Sequence, residues 1–254
     1  LMVGVPGSGK TMLARRLSSI LPPLSSQEAL EVTKIYSIAG LLRGNSGLIT
    51  TRPFRSPHHT TSTVAMIGGG SVPRPGEVTL SHHGVLFLDE LPEFSKATLE
   101  VLRQPLEDGI VTVSRVHATL TFPSRMILVT AMNPCPCGYQ GDDDHACTCT
   151  PNEIKRYTRK ISGPLLDRID IHIRVPRVAY KDLTATAKAE SSDTIRARVV
   201  AAREIQQTRL KKYHLFCNAE MNHALLKKTC PLSENAQHLL GQAFKKMNLS
   251  ARSY

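Results

Sequence analysis

The sequence predicts an α/β fold, in which a parallel β-sheet is layered between helices and a smaller helical domain follows. Short apolar runs alternate with helical stretches as far as residue 178, the pattern of a parallel sheet covered by helices. A glycine-rich loop stands directly before a helical segment near the start of the chain. From about residue 182 onward the strand pattern disappears. Together these observations predict a core over residues 1–178 and a helical domain over residues 179–254.

The composition is that of an ordinary globular protein. Of the 254 residues, 41% are hydrophobic and 21% charged, and no run of about 18 apolar residues is present to cross a membrane. Lys and Arg outnumber Asp and Glu by 32 to 21, and the net charge of +11 favours a polyanionic partner such as nucleic acid. A basic surface without such a partner explains the charge equally well. Six cysteines without a secretory signal favour the cytoplasm.

The first predicted element is a strand that runs into a phosphate-binding loop. Leu1, Met2 and Val3 have the character of a strand end, so we expect the chain to be part of a longer protein. The loop that follows satisfies the P-loop pattern GxxxxGK[ST] in full and leads into a helix. Glycines let the backbone wrap phosphate groups closely, and a helix N-terminus adds a favourable dipole. The predicted ATP-binding residues are Gly4, Pro6, Gly7, Ser8, Gly9, Lys10, Thr11 and Met12.

The next motif is an apolar strand at residues 85–88 that ends in two carboxylates, Asp89 and Glu90. We expect Lys10 to reach the β and γ phosphates, the Thr11 hydroxyl to ligate Mg²⁺ and Asp89 to hold the ion through water. Glu90 is the predicted general base that polarises the attacking water. Taken alone, such a run also fits a strand followed by the start of a helix. The P-loop upstream favours the catalytic interpretation.

Two further side chains complete the predicted catalytic set. Asn133 follows a strand predicted at residues 126–131, where its amide would orient the attacking water or touch the γ-phosphate. An Asn before Pro134 is also common in turns. Arg168 precedes a strand predicted at residues 169–175 and is the candidate to stabilise charge on the γ-phosphate of a neighbouring subunit. A surface ion pair with Asp167 or Asp170 explains Arg168 equally well.

Three segments depart from a minimal core. Residues 50–81 are rich in Gly, Pro, Ser, Thr and His and too long for an ordinary connection, which predicts a functional insertion. Residues 109–122 alternate like a β-hairpin. The third segment, residues 133–151, is rich in cysteine. The predicted zinc ligands within it are Cys135, Cys137, Cys147 and Cys149.

The cysteines allow three interpretations. Four thiolates make a closed tetrahedral Zn²⁺ site that would staple a long polar loop. The spacing is C-x-C rather than the commoner C-x-x-C, so reduced thiols and a redox disulfide remain alternatives. Cys217 and Cys230 lie in the helical tail, where they are expected to pack. In the same tail, Asp193 and Ser233 are expected to cap helices. The apolar positions of these helices are Ile195, Val199, Ala202 and Ile205, then Leu239, Leu240, Ala243 and Phe244.

In combination the motifs resemble the AAA+ module of the magnesium-chelatase-like proteins, and within that clade a bacterial competence-related group. The resemblance covers essentially the whole chain. It rests on long literal runs: RPFRSPHHT (52–60), LFLDELPEF (86–94), MNPCPCG (132–138), ISGPLLDRID (161–170) and LSAR (249–252). It implies a P-loop AAA+ core with a C-terminal helical lid, and an ATP-driven hexameric ring. Such a ring would act on single-stranded or branched DNA and promote branch migration during natural transformation.

The resemblance also implies roles for particular residues. Asn133 corresponds to sensor 1, Arg168 to a trans-acting arginine finger and Arg252 to the ATP-binding sensor 2 arginine of the lid, which the end at Tyr254 truncates. Residues 50–81 correspond to a helix-2 insertion and residues 109–122 to a pre-sensor 1 hairpin. Basic and imidazole side chains on these two segments would hold DNA phosphates independently of sequence. They are Arg52, Arg55, His58, His59, Arg74, Arg115 and His117.

Two other functions stay open. A chelatase-type motor would drive metal insertion or remodel a protein partner without gripping DNA. The cysteine-containing segment after Asn133 and the charge of +11 favour the DNA motor over it. A nucleotide-dependent scaffold with little turnover is the third class, and the intact Lys10, Asp89 and Glu90 speak against it.

Overall fold

The structure is a computed structural model that describes residues 1–42, 47–70, 73–115, 118–178, 189–213, 215 and 217–247. The chain divides into two compact units, residues 1–189 and 190–254. Three predicted site positions fall wholly or partly outside the described part: His117, Arg252 and the side chain of Arg115. The predicted domain junction also runs into residues 179–188, which lie outside the described residues.

The first unit is built on a parallel sheet. Its strands are β1 (Met2–Val3), β2 (Phe54–Arg55), β3 (Gly68–Gly69), β4 (Arg74–Pro75), β5 (Val85–Leu88), β6 (Ile110–Arg115), β7 (Ala118–Pro123), β8 (Ile127–Met132) and β9 (Ile173–Arg174). Five of them form the main sheet in the order β2-β5-β8-β1-β9, with every neighbouring pair parallel. The predicted α/β fold is therefore confirmed.

The helices of the first unit cover both faces of this sheet. They are α1 (Lys10–Ile20), α2 (Ser26–Ile38), α3 (Thr63–Ile67), α4 (Glu77–Leu80), α5 (Lys96–Glu100), α6 (Arg103–Asp108), α7 (Pro151–Thr158) and α8 (Gly163–Leu166). All four residues of β5 are 0% exposed. Leu86 and Leu88 pack into one apolar cluster, whereas Val85 and Phe87 join a second one that includes Ala14 of α1. Because alternate side chains of a strand point to opposite faces, β5 anchors two cores, one on each face.

Two strands differ from their predicted bounds. The strand expected at residues 126–131 begins one residue later, as β8. The strand expected at residues 169–175 shrinks to the two residues of β9. The reason is that β9 pairs only with β1, through Met2 with Ile173 and Val3 with Arg174, so the ladder is short.

The segment predicted as an insertion is partly core. β2 extends the main sheet beside β5, and the rings of Phe54 and Phe87 lie 6.1 Å apart. A Cβ on Gly84 would approach the carbonyl oxygen of Pro53 to 2.1 Å, so the two segments meet backbone to backbone. The rest of the segment forms α3, the β3–β4 hairpin and α4, around the buried Met66 and Val78.

The predicted β-hairpin is present as β6 and β7, which pair antiparallel from Ile110 opposite Pro123 to Arg115 opposite Ala118. Its buried residues Val111, Val113 and Phe122 belong to the larger apolar cluster. Because side chains alternate between the two faces of a strand, these residues pack one face of the hairpin against the core.

The second unit is helical, with α9 (Ser192–Leu210), α10 (His223–Thr229) and α11 (Glu234–Met247). The cap of α9 is Ser191, whose Oγ accepts a hydrogen bond from the Thr194 N–H, and Asp193 lies in the first turn instead. Ser233 caps α11 as predicted, accepting from the Ala236 N–H. Two residues of the predicted apolar faces, Ile205 and Leu239, are both 68% exposed. No helix among the described residues is both long and apolar enough to span a lipid bilayer.

Candidate active site

The sheet order brings the predicted catalytic motifs to one edge. β5, β8 and β1 are consecutive neighbours in the sheet. Asp89 follows β5, Asn133 follows β8 and the P-loop follows β1. Because parallel strands end at the same edge, ligands of such sheets collect beyond their carboxyl ends.

The P-loop backbone has the conformation that its glycines predict. Gly7 and Gly9 have φ values of 77° and 86°, in the left-handed region that other residues rarely adopt. A Cβ on Gly4 would lie 2.4 Å from the carbonyl oxygen of Val175. Gly9 is the N-cap of α1 and supplies no capping side chain. The first N–H groups of α1 therefore have no side-chain cap and are placed to bind phosphate oxygens.

Lys10 is a buried cation that contacts Asn133. Its Nζ donates to the carbonyl oxygens of Gly4 at 2.8 Å and Val5 at 2.9 Å, and to Asn133 Oδ1 at 3.2 Å. Burial lowers the pKa of Lys10, and the negative charge of Asp89 opposes that shift. The structure thus joins two predicted catalytic residues that are 123 positions apart in the sequence.

The two predicted magnesium ligands are in direct contact. Thr11 Oγ1 donates a hydrogen bond of 2.6 Å to Asp89 Oδ2. A hydroxyl that donates its proton to Asp89 keeps its oxygen lone pairs for Mg²⁺, and the Asp89 carboxylate would lie beside the ion to hold one of its waters. Hydroxyl and carboxylate oxygens are also the ligand types that Mg²⁺ prefers. The residues therefore fit the metal.

Glu90 has an unusual backbone. It lies in the left-handed region at φ 50° and ψ 48°, where a residue with a side chain is strained. Its carboxylate is 61% exposed, and its Oε2 lies 3.4 Å from His59 Nδ1. Its own N–H donates to Asp89 Oδ1 at 3.0 Å. The carboxylate thus projects from the same turn that carries the predicted magnesium ligand.

His59 has a place that its sequence context did not suggest. We predicted it as a DNA contact, but its ring lies beside Glu90 and packs against the rings of His58 at 4.0 Å and Phe94 at 6.4 Å. Only the tertiary structure brings residues 59 and 90 together, and no local pattern in the sequence signals the pair.

Tyr157 of α7 is a second residue that the sequence reasoning missed. It is buried, and its hydroxyl is hydrogen-bonded to the backbone of Asn133. Burial, and next the negative charge of Glu93, raise the pKa of Tyr157 to about 12, so the phenol stays neutral. A capping box of Thr150 and Glu153 fixes the start of α7. Tyr157 therefore contacts the backbone of Asn133 from within the larger apolar cluster.

Arg168 contacts residues outside the predicted catalytic set. Its guanidinium donates to the carbonyl oxygen of Pro164 at 2.6 Å and forms an ion pair with Glu107. Within the described residues, these contacts of Arg168 do not include Lys10, Asp89 or Glu90.

The predicted DNA contacts divide into two groups. Arg52 donates to Pro22, Pro23, His83 and Glu28, and Arg55 forms a two-pronged ion pair with Glu77. These guanidinium groups already have intramolecular partners, so we remove both from the proposed DNA surface. His58 and Arg74 are exposed.

The four predicted zinc ligands converge. Cys135 Sγ lies 3.3 Å from Cys137 Sγ and 3.7 Å from Cys147 Sγ, and Cys149 Sγ accepts from the Cys137 N–H at 3.3 Å. All four sulfur atoms lie within 4.8 Å of one another, and none is in a disulfide. The cluster therefore has the ligand set of a thiolate metal site.

Comparisons with known proteins cover the same span. The family described as magnesium chelatase, subunit ChlI, matches residues 1–183, and its C-terminal region matches residues 189–254. YifB of Escherichia coli is 45% identical over 257 residues, which are 100% of this chain and 49% of that protein. Competence protein ComM of Haemophilus influenzae is 43% identical over 256 residues, again 100% of this chain and 49% of the relative. ChlI of Euglena gracilis is 23% identical over 155 residues, 53% of this chain and 44% of that protein. The chain therefore spans about half the length of the curated relatives YifB and ComM.

Proposed function

Because the chain belongs to the ComM/YifB group of the magnesium-chelatase-like AAA+ family, we propose that it is the ATP-hydrolysing motor module of a DNA-acting machine. One observation carries the proposal: the contacts Lys10–Asn133 and Thr11–Asp89 lie together at the carboxyl ends of adjacent strands. A phosphate-binding lysine, a pair of magnesium ligands and a carboxylate base are what phosphoryl transfer to water requires.

The residues divide the chemistry among themselves. The P-loop N–H groups and Lys10 bind the phosphates, and the Lys10 ammonium exchanges the carbonyls of its own loop for phosphate oxygens. Thr11 and Asp89 would hold Mg²⁺, which would neutralise charge on the phosphates. Glu90 accepts the proton of the attacking water, and Asn133 orients that water through its amide.

Completion of the site by a neighbouring subunit is part of the proposal. An arginine that stabilises charge on the transferred phosphoryl group is a recurring part of such sites. Arg168 is paired with Glu107 in its own chain. We assign it to the site of the next subunit in a hexameric ring, and Arg252 to the nucleotide of its own.

DNA is the proposed substrate of the motor. The competence protein ComM is similar over the whole chain, and the net charge is +11. The proposed contacts are His58, Arg74, Arg115 and His117, which would hold phosphates of single-stranded or branched DNA during branch migration. Free thiols and a DNA substrate are both consistent with the cytoplasm as the compartment.

Zinc is the third proposed cofactor, after ATP and Mg²⁺. The cysteine cluster described above has the S₄ ligand set that selects zinc or iron–sulfur chemistry. We assign a structural Zn²⁺ to it.

Steady-state ATP hydrolysis by the intact protein tests the enzymatic part. Glu90→Gln removes the base and is expected to lower kcat at least about 100-fold, since general base catalysis contributes roughly that much or more. Nucleotide binding should persist, because Lys10 and Thr11 are unchanged. Glu204→Gln, on the exposed side of α9, is the matched control. Unchanged turnover in Glu90→Gln would remove Glu90 as the base.

Fluorescence anisotropy with a labelled branched oligonucleotide tests the DNA part. Binding with ATP present is expected at low salt, and its logarithm should fall linearly with the logarithm of salt concentration. His58→Ala combined with Arg74→Ala should weaken binding and reduce this slope, whereas Lys227→Ala in α10 serves as a charge-matched control.

A chelatase-type motor is the second candidate, because the family description is that of a magnesium chelatase subunit. Absence of DNA binding at low salt would favour this candidate, which would drive metal insertion or remodel a protein partner.

A further inference from the structure

The loop of residues 134–150, which we call the cysteine loop, has almost no apolar core of its own. Among its residues only Cys135 and Gly138 are buried. Its polar contacts are long: Asp142 lies 3.5 Å from His145 within the loop and 3.5 Å from Arg177 outside it, and the rings of Tyr139 and His145 stack at 5.0 Å. Since His145 is 52% and Arg177 36% exposed, ion pairs of this length add little stability. Something stronger is needed to hold such a loop in one conformation.

A metal ion bound by the four cysteines would hold the loop in this way, and the sulfur geometry fits such an ion. In a tetrahedral zinc site with Zn–S bonds of about 2.3 Å, neighbouring sulfur atoms are about 3.8 Å apart. The observed distances of 3.3, 3.7 and 3.6 Å among Cys135, Cys137 and Cys147 lie close to this value. A disulfide would need about 2.05 Å. Four cysteines contributed by the two ends of the loop can therefore close it around one ion.

The zinc ligands lead directly into the nucleotide site. Gly138 follows Cys137, and its N–H donates to the Cys135 carbonyl oxygen at 3.0 Å. A Cβ at Gly138 would lie 2.7 Å from Cγ and 2.8 Å from Cδ of Pro6, and 3.9 Å from Cγ of Asn133. Gly138, which directly follows the proposed zinc ligand Cys137, is thus packed between the P-loop and Asn133.

Both neighbours of Gly138 are connected to Lys10. Pro6 lies in the loop whose carbonyl oxygens at Gly4 and Val5 accept from Lys10 Nζ. The Asn133 amide oxygen accepts from the same ammonium at 3.2 Å. Displacement of the cysteine loop would therefore release both neighbours of Gly138, and with them the placement of Lys10.

We propose that a Zn²⁺ ion on Cys135, Cys137, Cys147 and Cys149 fixes the cysteine loop as a wall of the ATP site, so that zinc occupancy sets the affinity for ATP. The inference rests on the proposed ATPase function. The zinc is structural and takes no part in hydrolysis. Gly138 is the positioning contact that carries the effect from the metal to Pro6 and Asn133.

Two measurements on the intact protein test the metal. Elemental analysis of protein purified without added zinc is expected to give about one zinc per chain, as four-coordinate structural sites do. Replacement by Co²⁺ should produce the visible absorption of tetrahedral thiolate coordination. Zinc far below one equivalent, iron in its place, or a disulfide among the four cysteines in mass spectrometry would overturn the site.

The coupling is tested by titrating a fluorescent ATP analogue. Cys147→Ser is expected to lose zinc and to weaken nucleotide binding roughly tenfold, the scale of losses around metal sites. Cys230→Ser, at an exposed cysteine of the helical unit, is the control and should retain both. Chelation of zinc from the wild-type protein should weaken binding, and added zinc should restore it.

A matched pair of glycine variants distinguishes disruption of the Gly138 contact from nonspecific destabilisation of the loop. Gly138→Ala places a methyl group against Pro6, whereas Gly141→Ala meets nothing within 4 Å although both glycines have positive φ, 90° and 74°. Gly138→Ala should keep its zinc and bind ATP less tightly, and Gly141→Ala should keep both.

The outcomes distinguish the two proposals. Loss of zinc with unchanged ATP affinity, together with normal affinity in Gly138→Ala, would overturn the coupling and leave the ATPase function intact. A wild-type protein that holds zinc but binds no ATP would contradict the ATPase function itself. If Cys147→Ser fails to fold, chelation and the glycine pair still decide.

Discussion

Glu90 carries the clearest sign of functional constraint at the scale of single residues. Its left-handed backbone costs about 1–2 kcal/mol relative to the right-handed region, and such strain persists where a side chain must point in one direction. The carboxylate is largely exposed, so burial does not hold it in place. The His59 ring, packed against His58 and Phe94 and 3.4 Å from the Glu90 carboxylate, is the candidate for that restraint.

We expect His59→Ala to lower kcat for ATP hydrolysis roughly tenfold without DNA, because the base loses its orientation but not its chemistry. KM for ATP should be unchanged, since His59 does not contact the P-loop in the described structure. His59→Gln, which keeps a polar group near Glu90, should recover part of the loss, and His223→Ala is the control. A rise in KM with normal kcat would assign His59 to nucleotide binding instead.

At the scale of elements, a polar network around the buried His82 joins α2 to the turn before β5. Glu31 Oε2 lies 3.2 Å from His82 Nε2 and 2.8 Å from His83 Nε2. The Arg125 N–H donates to His82 Nδ1 at 3.1 Å, so the proton of the neutral ring is on Nε2 and is donated to Glu31. These three side chains also have the spacing of a metal site. The His82 ring has both nitrogens satisfied, which favours a hydrogen-bond network over a metal.

This network makes stability depend on pH in a defined direction. Burial, with the neighbouring His83, lowers the pKa of His82 to about 4 from 6.5. Burial opposes ionisation of Glu31, but hydrogen bonds from His83, Gln27 and His82 lower its pKa to about 2. Between pH 6.5 and 4 the unfolded chain binds more protons at His82, so stability falls as pH falls. Glu31 adds a further loss between pH 4.5 and 2.

Urea denaturation at pH 7 and pH 5 checks this expectation. His82 should account for a loss of about 2 kcal/mol of the free energy of unfolding between these values. His82→Asn keeps an acceptor for the Arg125 N–H and does not titrate, so its loss should be smaller by that amount. His172→Asn, at an exposed histidine, should behave like the wild type. Equal losses in His82→Asn and the wild type would contradict the assignment.

At the scale of the whole molecule, the site described here has its lysine, carboxylates and amide but no arginine contact from its own chain within the described residues. Arg168 is 11% exposed as a side chain and is paired with Glu107. A ring in which each subunit completes the site of the next would supply the missing charge, as heterologous interfaces do in closed rings.

Subunit mixing tests this arrangement. Lys10→Ala and Arg168→Ala should each be nearly inactive alone. Mixed in equal amounts, they should recover activity, because about one quarter of random interfaces pair an intact Lys10 with an intact neighbouring Arg168. Lys10→Ala mixed with the Lys10→Ala/Arg168→Ala double variant should recover none. Absence of rescue in the first mixture would place Arg168 outside the active site.

Much of the site could be predicted from the sequence because each motif consists of residues close together in the chain. The P-loop needs glycines at fixed offsets for its positive φ angles, and the strand before Asp89 needs a continuous apolar run because both its faces are buried. Segments with few neighbours were harder to predict. β9 is shorter than its apolar pattern suggested, since its length depends on β1.

The sequence by itself determined the α/β fold, and it predicted the P-loop, the strand that ends in Asp89 and the four thiols, because each follows from residue type and short-range spacing. Only the tertiary structure decided which distant side chains meet: Lys10 with Asn133, Glu90 with His59, Tyr157 with Asn133 and Gly138 with Pro6. It also showed that Arg52 and Arg55 are committed to carboxylates of their own chain. Such pairings depend on sheet order and on close packing between segments far apart in sequence, and neither leaves a periodic signal in the chain.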